Sequence, residues 1–328
     1  MPLRMPHLPN HLPVALLICL LSASNAECAT AFVTLEDEDA LVAVSIPGGK
    51  LLKRYPVGKR PRGIGSDSQG QRLYVAVSDD NTIKQIDADK GKEISRLPSG
   101  KDPETFAIEP RGKFLYASNE NDNSVTVVDL QSRKTVKSIP VGLEPEGICA
   151  SPDGHWVVST SETTNMAHWI NADSLTVVDN TLVDPRPRAC AFTKDGDELW
   201  VSSEIAGTIT VLDTRTRTAK QRITFQIPGV TREKIQPVGI RIDRSRQFAY
   251  VALGPSNRIA VIDAKTYKPV DYLLVGQRVW NLEFDPDETY LVTANGLSND
   301  ISLIDLKTRK VQKSVAVGQG PWGVTVLP

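Results

Sequence analysis

The chain has few of the residues that cross-link a protein or give it a strong charge. It contains four cysteines in 328 residues, 6% aromatic residues, and 38 lysines and arginines against 39 aspartates and glutamates, a formal net charge of -1. A near-neutral chain offers no electrostatic attraction for nucleic acid or for an anionic membrane surface. It has no CxxCH segment for covalent haem and no GxSxG segment, and beyond the N-terminal region only His155 and His168 remain. These absences predict a protein without a catalytic constellation.

A short apolar run lies near the N-terminus. Arg4 precedes VALLICLL, Val14 to Leu21, and the small-residue segment SASNA follows. This layout is typical of a secretory signal peptide, and the run is too short to span a bilayer. We therefore predict a signal peptide over residues 1–26, export of the protein, no membrane span, and one domain over residues 27–328.

Three cysteines remain after the predicted cleavage: Cys28, Cys149 and Cys190. The number is odd and small, although an exported protein is free to form disulfides. Cys149 and Cys190 lie in apolar segments with the pattern of strands, where a free cysteine behaves as a small buried hydrophobe. The sequence therefore predicts that both are free and buried.

Two markers recur with a period of 42 residues. The first is the polar residue that ends a strand-like segment, at Ser45, Asp87, Asp129, Asn171, Asp213, Asp263 and Asp305. The second is found at Pro61, Pro103, Pro145, Pro187, Pro237, Val279 and Pro321. One interval is 50 residues long, and its eight extra residues lie between Asp213 and Pro237, where we predict an extended loop or a lengthened hairpin. The markers define seven copies of one unit.

Each copy contains four short segments rich in β-branched residues, separated by glycine, proline, aspartate or asparagine. This pattern indicates one four-stranded propeller blade per copy. The recurrent aspartate is predicted to accept backbone N–H groups of a tight turn, because its carboxylate is well placed for that role. AFVTL from Ala31 lacks a first strand and GVTVLP from Gly323 lacks a second, so together they complete a blade. The predicted fold is all-β: a seven-bladed β-propeller with four antiparallel strands per blade, the last closed by the N- and C-terminal strands.

The second strands carry a family resemblance. RLYVAVSDDN, FLYASNENDN, LWVSSEIAG, AYVALGPSN and YLVTANGLSN resemble the YVTN family of bacterial β-propellers. The segments PEGICASPDG, DELWVSSE and PWGVTV are most similar to the PQQ-dependent catabolism-associated propellers. The resemblance implies a periplasmic location, a quinoprotein dehydrogenase or cytochrome as partner, and PQQ that is held by the partner dehydrogenase.

The repeat brings equivalent residues on either side of the recurrent proline to one mouth of the channel. The predicted ligand- or partner-binding residues of this mouth are Arg60, Arg62, Asp102, Glu104, Glu144, Glu146, Arg186, Arg188, Arg278, Trp280 and Trp322. Arginine forks suit carboxylates, and tryptophans offer flat stacking surfaces. Two interpretations stay open. The mouth binds a polyanionic planar molecule, such as a quinone carboxylate, or a charged loop of a partner; alternatively Arg62 with Glu104 and Arg188 with Glu146 simply neutralise one another.

Acidic segments at residues 36–39, 78–81 and 119–123 lie in loops on the same face. Their oxygens suit a hard cation such as Ca²⁺, but no segment has the spacing of a known calcium loop, so the sequence predicts no metal site. His168 replaces a threonine of the repeat and is predicted to be packed and hydrogen-bonded.

The sequence leaves three functions open. The favoured one is an exported, non-catalytic binding or scaffold protein associated with a periplasmic PQQ-dependent alcohol oxidation system. The alternatives are a propeller subunit of a redox complex similar to quinohaemoprotein amine dehydrogenases, and a free-standing binder of a small, anionic ligand or a cofactor. A fold shared by many functions does not select one of them.

Overall fold

A computed structural model describes residues 1–2 and 29–328. Most of the predicted signal peptide, residues 3–26, lies outside the described residues. The described part contains 28 strands and three short 3-10 helices, at Glu36–Glu38, Glu120–Asp122 and Arg232–Lys234. Within the described residues, no helix is both long and apolar enough to cross a membrane.

The strands form seven sheets of four antiparallel strands each, and we number the blades in chain order from the first complete one. Blade 7 contains β28 (Pro321–Leu327) with β1 (Ala29–Leu35), β2 (Ala40–Ile46) and β3 (Leu51–Pro56). Blade 1 contains β4 (Pro61–Ser66), β5 (Arg72–Val77), β6 (Thr82–Asp87) and β7 (Glu93–Pro98). Blade 2 contains β8 (Pro103–Ile108), β9 (Phe114–Asn119), β10 (Ser124–Asp129) and β11 (Lys134–Pro140). Blade 3 contains β12 (Pro145–Ala150), β13 (Trp156–Ser161), β14 (Met166–Asn171) and β15 (Thr176–Leu182).

The remaining blades repeat the order. Blade 4 contains β16 (Pro187–Phe192), β17 (Glu198–Ser203), β18 (Thr208–Asp213) and β19 (Thr218–Thr224). Blade 5 contains β20 (Ile240–Ile242), β21 (Phe248–Ala252), β22 (Arg258–Asp263) and β23 (Lys268–Leu274). Blade 6 contains β24 (Val279–Phe284), β25 (Tyr290–Asn295), β26 (Asp300–Asp305) and β27 (Lys310–Ala316). The first strand of every blade is the innermost one. The predicted seven-bladed propeller is confirmed.

Blade 7 joins the two ends of the described chain. Strand β28 pairs antiparallel with β1, with Thr30 opposite Leu327 and Leu35 opposite Pro321. The predicted closure is confirmed, since hydrogen bonds between strands from the two ends complete blade 7 between blade 6 and blade 1.

The eight extra residues lie between β19 and β20. The connection there contains the 3-10 helix Arg232–Lys234, and β20 is three residues long. The prediction of an extended loop is therefore confirmed, with one helical turn that the sequence pattern did not indicate.

The hydrophobic core consists of seven clusters, and each cluster fills the space between two neighbouring blades. The one between blades 4 and 5, for example, packs Trp200 and Val211 against Ile240 and Val251. Both faces of a blade are thus covered, which explains why third strands such as ITVLD are apolar almost without interruption.

The recurrent aspartates act in turns. Asp87, Asp129, Asp213 and Asp305 each accept a backbone N–H from the residue three positions later, at 2.7 to 2.8 Å. These hydrogen bonds are the main cause of the lowered pKa of each carboxyl group. The predicted turn role is confirmed.

Cys149 and Cys190 form a disulfide, so the prediction of two free, buried thiols is wrong. Their Cα atoms lie 5.9 Å apart on β12 and β16, the innermost strands of blades 3 and 4. The two positions are 41 residues apart, one short of the repeat, so they are not equivalent positions in the two blades. Innermost strands of adjacent blades run close together near the channel, so residues at non-equivalent positions of two blades can touch. A comparison of positions 42 residues apart does not detect such a contact.

Candidate functional site

Six of the seven residues in front of the recurrent proline or valine, all except Gln236, are held in a fixed conformation. Arg60, Asp102, Glu144, Arg186, Arg278 and Gly320 all have φ between 54° and 65°. The N–H of each is bound, at 2.8 to 3.1 Å, by one side chain from the preceding blade: Asp39, Asn81, Asn123, Asn165, Asn257 or Asn299. Those residues also lie in the left-handed region, which asparagine and aspartate tolerate better than other side chains. We call this contact the asparagine clasp.

A third position of the repeat faces the same mouth. In six blades, the residue that follows the second strand donates its N–H, at 2.8 to 3.1 Å, to a carbonyl of the same blade. This carbonyl belongs to the clasped residue, which is the one whose own N–H is bound in the asparagine clasp. These donors are Glu36, Ser78, Glu120, Glu162, Glu204 and Gly296. Four carboxyl groups are thus brought beside the predicted mouth residues. Glu162 and Glu204 were missed from the sequence, although both obey the 42-residue period.

The innermost strands approach one another closely below this mouth. A Cβ atom on Gly147 would lie 2.2 Å from the carbonyl oxygen of Arg188, and one on Gly323 would lie 2.5 Å from that of Arg62. The hydroxyl of Thr34 donates to the same Arg62 carbonyl at 2.7 Å. The channel therefore narrows to a cavity of about 120 Å³, whose lining includes Glu146, Arg188, Cys190, Arg241, Asn281 and Trp322.

Seven charged residues form the first of two groups at the mouth. We call it the Arg62 cluster, and it comprises Arg60, Arg62, Glu36, Asp79, Asp102, Glu104 and Glu120. Arg62 pairs with Glu104 and, at 2.8 Å, with Glu36. Arg60 pairs with Asp102 and, at 3.0 Å, with Asp79. Two guanidinium groups therefore stand among five carboxyl groups.

The second group, the Arg188 cluster, comprises Arg186, Arg188, Arg278, Glu146, Glu162 and Glu204. Arg188 pairs with Glu162 and, at 2.9 Å, with Glu146. Glu204 accepts ion pairs from Arg186 and Arg278, each at 3.0 Å. Three guanidinium groups face three carboxyl groups, so this cluster is balanced in formal charge.

The two tryptophans of the mouth are covered by arginines. The guanidinium of Arg278 lies 4.2 Å from the ring centre of Trp280, and that of Arg62 lies 5.7 Å from the ring centre of Trp322. Trp322 is buried. Its face is therefore engaged with Arg62 in a cation–π contact.

The shifts in pKa reflect burial and charge. Burial opposes ionisation of Glu104, but the charge and hydrogen bond of Arg62 hold the pKa of its carboxyl below the ordinary value. Burial, together with the hydrogen bond and charge of the Glu104 carboxyl, raises the pKa of Glu120 to about 7. Burial also raises the pKa of Glu146 and Glu162. Three carboxyl groups at this mouth are thus easier to protonate than free glutamate.

The structure brings ten of the eleven predicted mouth residues into these ion-pair and aromatic contacts. The pairs Arg62–Glu104 and Arg188–Glu146 are both present. Glu144 instead lies exposed at the rim and accepts a hydrogen bond from the hydroxyl of Thr163.

His168 is packed and hydrogen-bonded, as predicted. Its Nε2 accepts the N–H of Gly142 at 3.0 Å, and its Nδ1 lies 2.5 Å from Oδ1 of Asn180. Burial lowers its pKa, so the imidazole is neutral at pH 7. His155 lies in the turn between β12 and β13, where it is largely exposed.

Comparison with known proteins relates most of the chain to one family. The model of the choice-of-anchor I domain matches residues 66–295. No protein with a curated description matches the chain.

Solved structures with similar folds share little sequence. Hydrazine synthase of Kuenenia stuttgartiensis superposes with a TM-score of 0.73 and 18% identity over 81% of this chain and 95% of that one. A protein of unknown function from Desulfotomaculum acetoxidans gives 0.78 and 18% identity over 90% and 98% of the two chains. A protein from Lactobacillus plantarum gives 0.77 and 16% identity over 92% and 99%. At these identities the similarity shows the propeller fold alone.

Proposed function

Since this chain belongs to the choice-of-anchor I family, whose matched region here folds as a propeller, we propose that it is an exported, non-catalytic scaffold that binds a partner protein at the charged mouth. One observation carries the proposal. Leu143, Ile205 and Leu297 are large apolar residues that stand exposed on the loops around this mouth, with 48%, 69% and 71% of their surface accessible. Apolar side chains exposed around a charged centre are typical of an interaction surface.

The charges favour a basic segment of the partner. Every arginine of the two clusters is already paired with a carboxylate, and the carboxyl groups outnumber the arginines by eight to five without counting rim residue Glu144. An anionic ligand would have to compete with those carboxylates, whereas a lysine- or arginine-bearing loop would complement the surplus. The charges of the Arg188 cluster balance one another, so we expect this cluster to stabilise the mouth whether the ligand is anionic or basic.

The narrower assignment concerns the partner. The resemblance to PQQ-dependent catabolism-associated propellers leads us to propose a periplasmic quinoprotein alcohol dehydrogenase, or its cytochrome, as the protein that docks here. In this arrangement PQQ belongs to the dehydrogenase, and the propeller supplies a docking surface. The neutral, fully hydrogen-bonded His168 supports a non-catalytic role for this chain.

The test is capture of the partner from the native periplasm, with native mass spectrometry of the complex. The variant Ile205→Asn/Leu297→Asn changes only exposed side chains of the mouth loops and leaves the net charge unaltered. Two buried apolar contacts of about 1–2 kcal/mol each predict a loss of affinity of roughly 30- to 1,000-fold.

The matched control is Leu182→Asn/Leu274→Asn, which alters side chains with 67% and 64% exposure on the outermost strands of blades 3 and 5. It should bind the partner as the unchanged protein does. Equal binding by both double variants would refute the docking surface. Recovery of a partner other than a dehydrogenase or cytochrome would refute the narrower assignment, and a stoichiometric small molecule without any protein would favour the free-standing binder.

A further inference from the structure

Three carboxyl groups of the Arg62 cluster converge on one point. Asp102, Glu104 and Glu120 each offer an oxygen, and these oxygens lie within 4.8 Å of one another. The clasp from Asn81 fixes the backbone of Asp102, and the N–H of Glu120 donates to the Asp102 carbonyl at 2.9 Å. The three side chains therefore project from two backbone segments that are tied together.

Glu104 adds a second observation that does not depend on acidity alone. Its side chain is completely buried, and Arg62 holds one of its oxygens. The other oxygen, Oε1, receives a hydrogen bond from no amide, hydroxyl or cationic group in the described chain, and the Nη2 atom of Arg60 remains 4.0 Å away. A buried carboxylate oxygen without a donor is costly, so this atom favours a hydrogen-bond donor or a cation beside it. The carboxyl group of Glu120 interacts with that of Glu104 and can donate a hydrogen bond to it only while Glu120 is protonated.

The balance of charge points the same way. The Arg188 cluster is neutralised by its own three ion-paired carboxylates. The Arg62 cluster instead retains three carboxyl groups in excess of its two arginines. The excess and the unpartnered oxygen occur at the same place.

We propose that Asp102, Glu104 and Glu120 bind a calcium ion at the channel mouth, through one oxygen from each carboxylate and completed by water. Calcium binds oxygen at about 2.4 Å, so two oxygens bound to one ion lie at most about 4.8 Å apart, and the three carboxylate oxygens, all within 4.8 Å of one another, meet that condition. Magnesium demands a near-ideal octahedron and keeps more of its water, whereas calcium accepts irregular sets of oxygens, so the site is predicted to prefer calcium. The ion would supply the positive partner of Glu104 and would link β8 to the loop of Glu120.

This inference does not rest on the proposed docking function, since it concerns the isolated chain. Metal-stripped protein should bind one Ca²⁺ per chain in isothermal titration calorimetry, with a dissociation constant between about 1 μM and 1 mM. Magnesium at the same ionic strength should bind at least tenfold more weakly. A crystal soaked in a calcium salt should show the ion among the three carboxylates.

Two variants test the ligands. Glu120 forms no ion pair within the described chain and Glu120→Gln keeps the shape of its side chain, so this variant should fold normally and weaken calcium binding at least tenfold. Glu104→Gln should weaken binding similarly. Glu144→Gln, at the position equivalent to Asp102 in the next blade, is the control and should bind as the unchanged protein does. Equal affinity in all three variants would identify an adventitious ion only and overturn the proposal, as would no binding at 10 mM Ca²⁺, roughly tenfold above the weakest expected affinity.

Discussion

Removal of the disulfide between Cys149 and Cys190 should destabilise the propeller by about 4 kcal/mol. The bond closes a loop across 41 positions of sequence, and the loss of unfolded-state entropy for a loop of that length corresponds to about 4 kcal/mol at 25 °C. For roughly 300 ordered residues the entropy of unfolding is about 0.6 kcal/mol/K, so the melting temperature should fall by about 6 °C.

The assay is urea unfolding followed by tryptophan fluorescence, together with calorimetry. Trp156 and Trp169 pack with both cysteines in the core between blades 3 and 4, so their emission reports on this region. Cys149→Ala and Cys190→Ala should each cost nearly as much as the double variant, because either one breaks the same bond. Reduction with dithiothreitol should lower the unchanged protein to the level of the variants.

Three results would refute the reasoning. The single variants would match the unchanged protein if the disulfide did not form. Losses that add in the double variant would indicate two independent buried side chains, as the sequence had suggested. Alkylation of both thiols under denaturing conditions without a reductant, so that prior reduction adds no further mass, would show directly that the disulfide is absent.

Two further predictions concern packing and pH. Gly147→Ala should destabilise the protein by about 2–3 kcal/mol, because its Cβ would lie 2.2 Å from the Arg188 carbonyl oxygen. The control Gly65→Ala, whose Cβ would meet Phe106 at an ordinary 3.4 Å, should change stability by under about 0.5 kcal/mol. Equal melting temperatures of the two variants would contradict this prediction. Because the pKa of His168 is lowered in the folded state, its contribution to stability is present above about pH 6.5 and is lost as the pH falls through the folded-state pKa. The urea midpoint of the unchanged protein should therefore drop more between pH 7.5 and pH 5 than that of His168→Gln. Parallel pH profiles of the two proteins would contradict this prediction.

The period of 42 residues was enough to predict the fold. It located every blade, the closing pair β1 and β28, and the aspartate turns, because all of these repeat at equivalent positions. It also placed Arg62, Glu104, Arg188 and Glu146 at one mouth, where their ion pairs are found.

The contacts that the sequence did not reveal are those that break or extend the repeat. Cys149 and Cys190 meet because neighbouring innermost strands touch at offset positions, which a search for equivalent residues overlooks. Glu162 and Glu204 follow the period, but they lie in loop segments without the proline marker. The imbalance between the two arginine clusters depends on which carboxylate each guanidinium reaches, and that choice is made by side-chain geometry in three dimensions.

The asparagine clasp has a consequence for engineering this molecule. Each clasped residue belongs to one blade, but its N–H is bound by a side chain of the blade before it, so a blade exchanged alone would lose this contact. The transferable module is instead the stretch that starts at one clasp residue and ends before the next, such as residues 81–122. To change the mouth one sector at a time, one would exchange segments that begin and end within blades, so that each clasp residue stays with the residue whose N–H it binds.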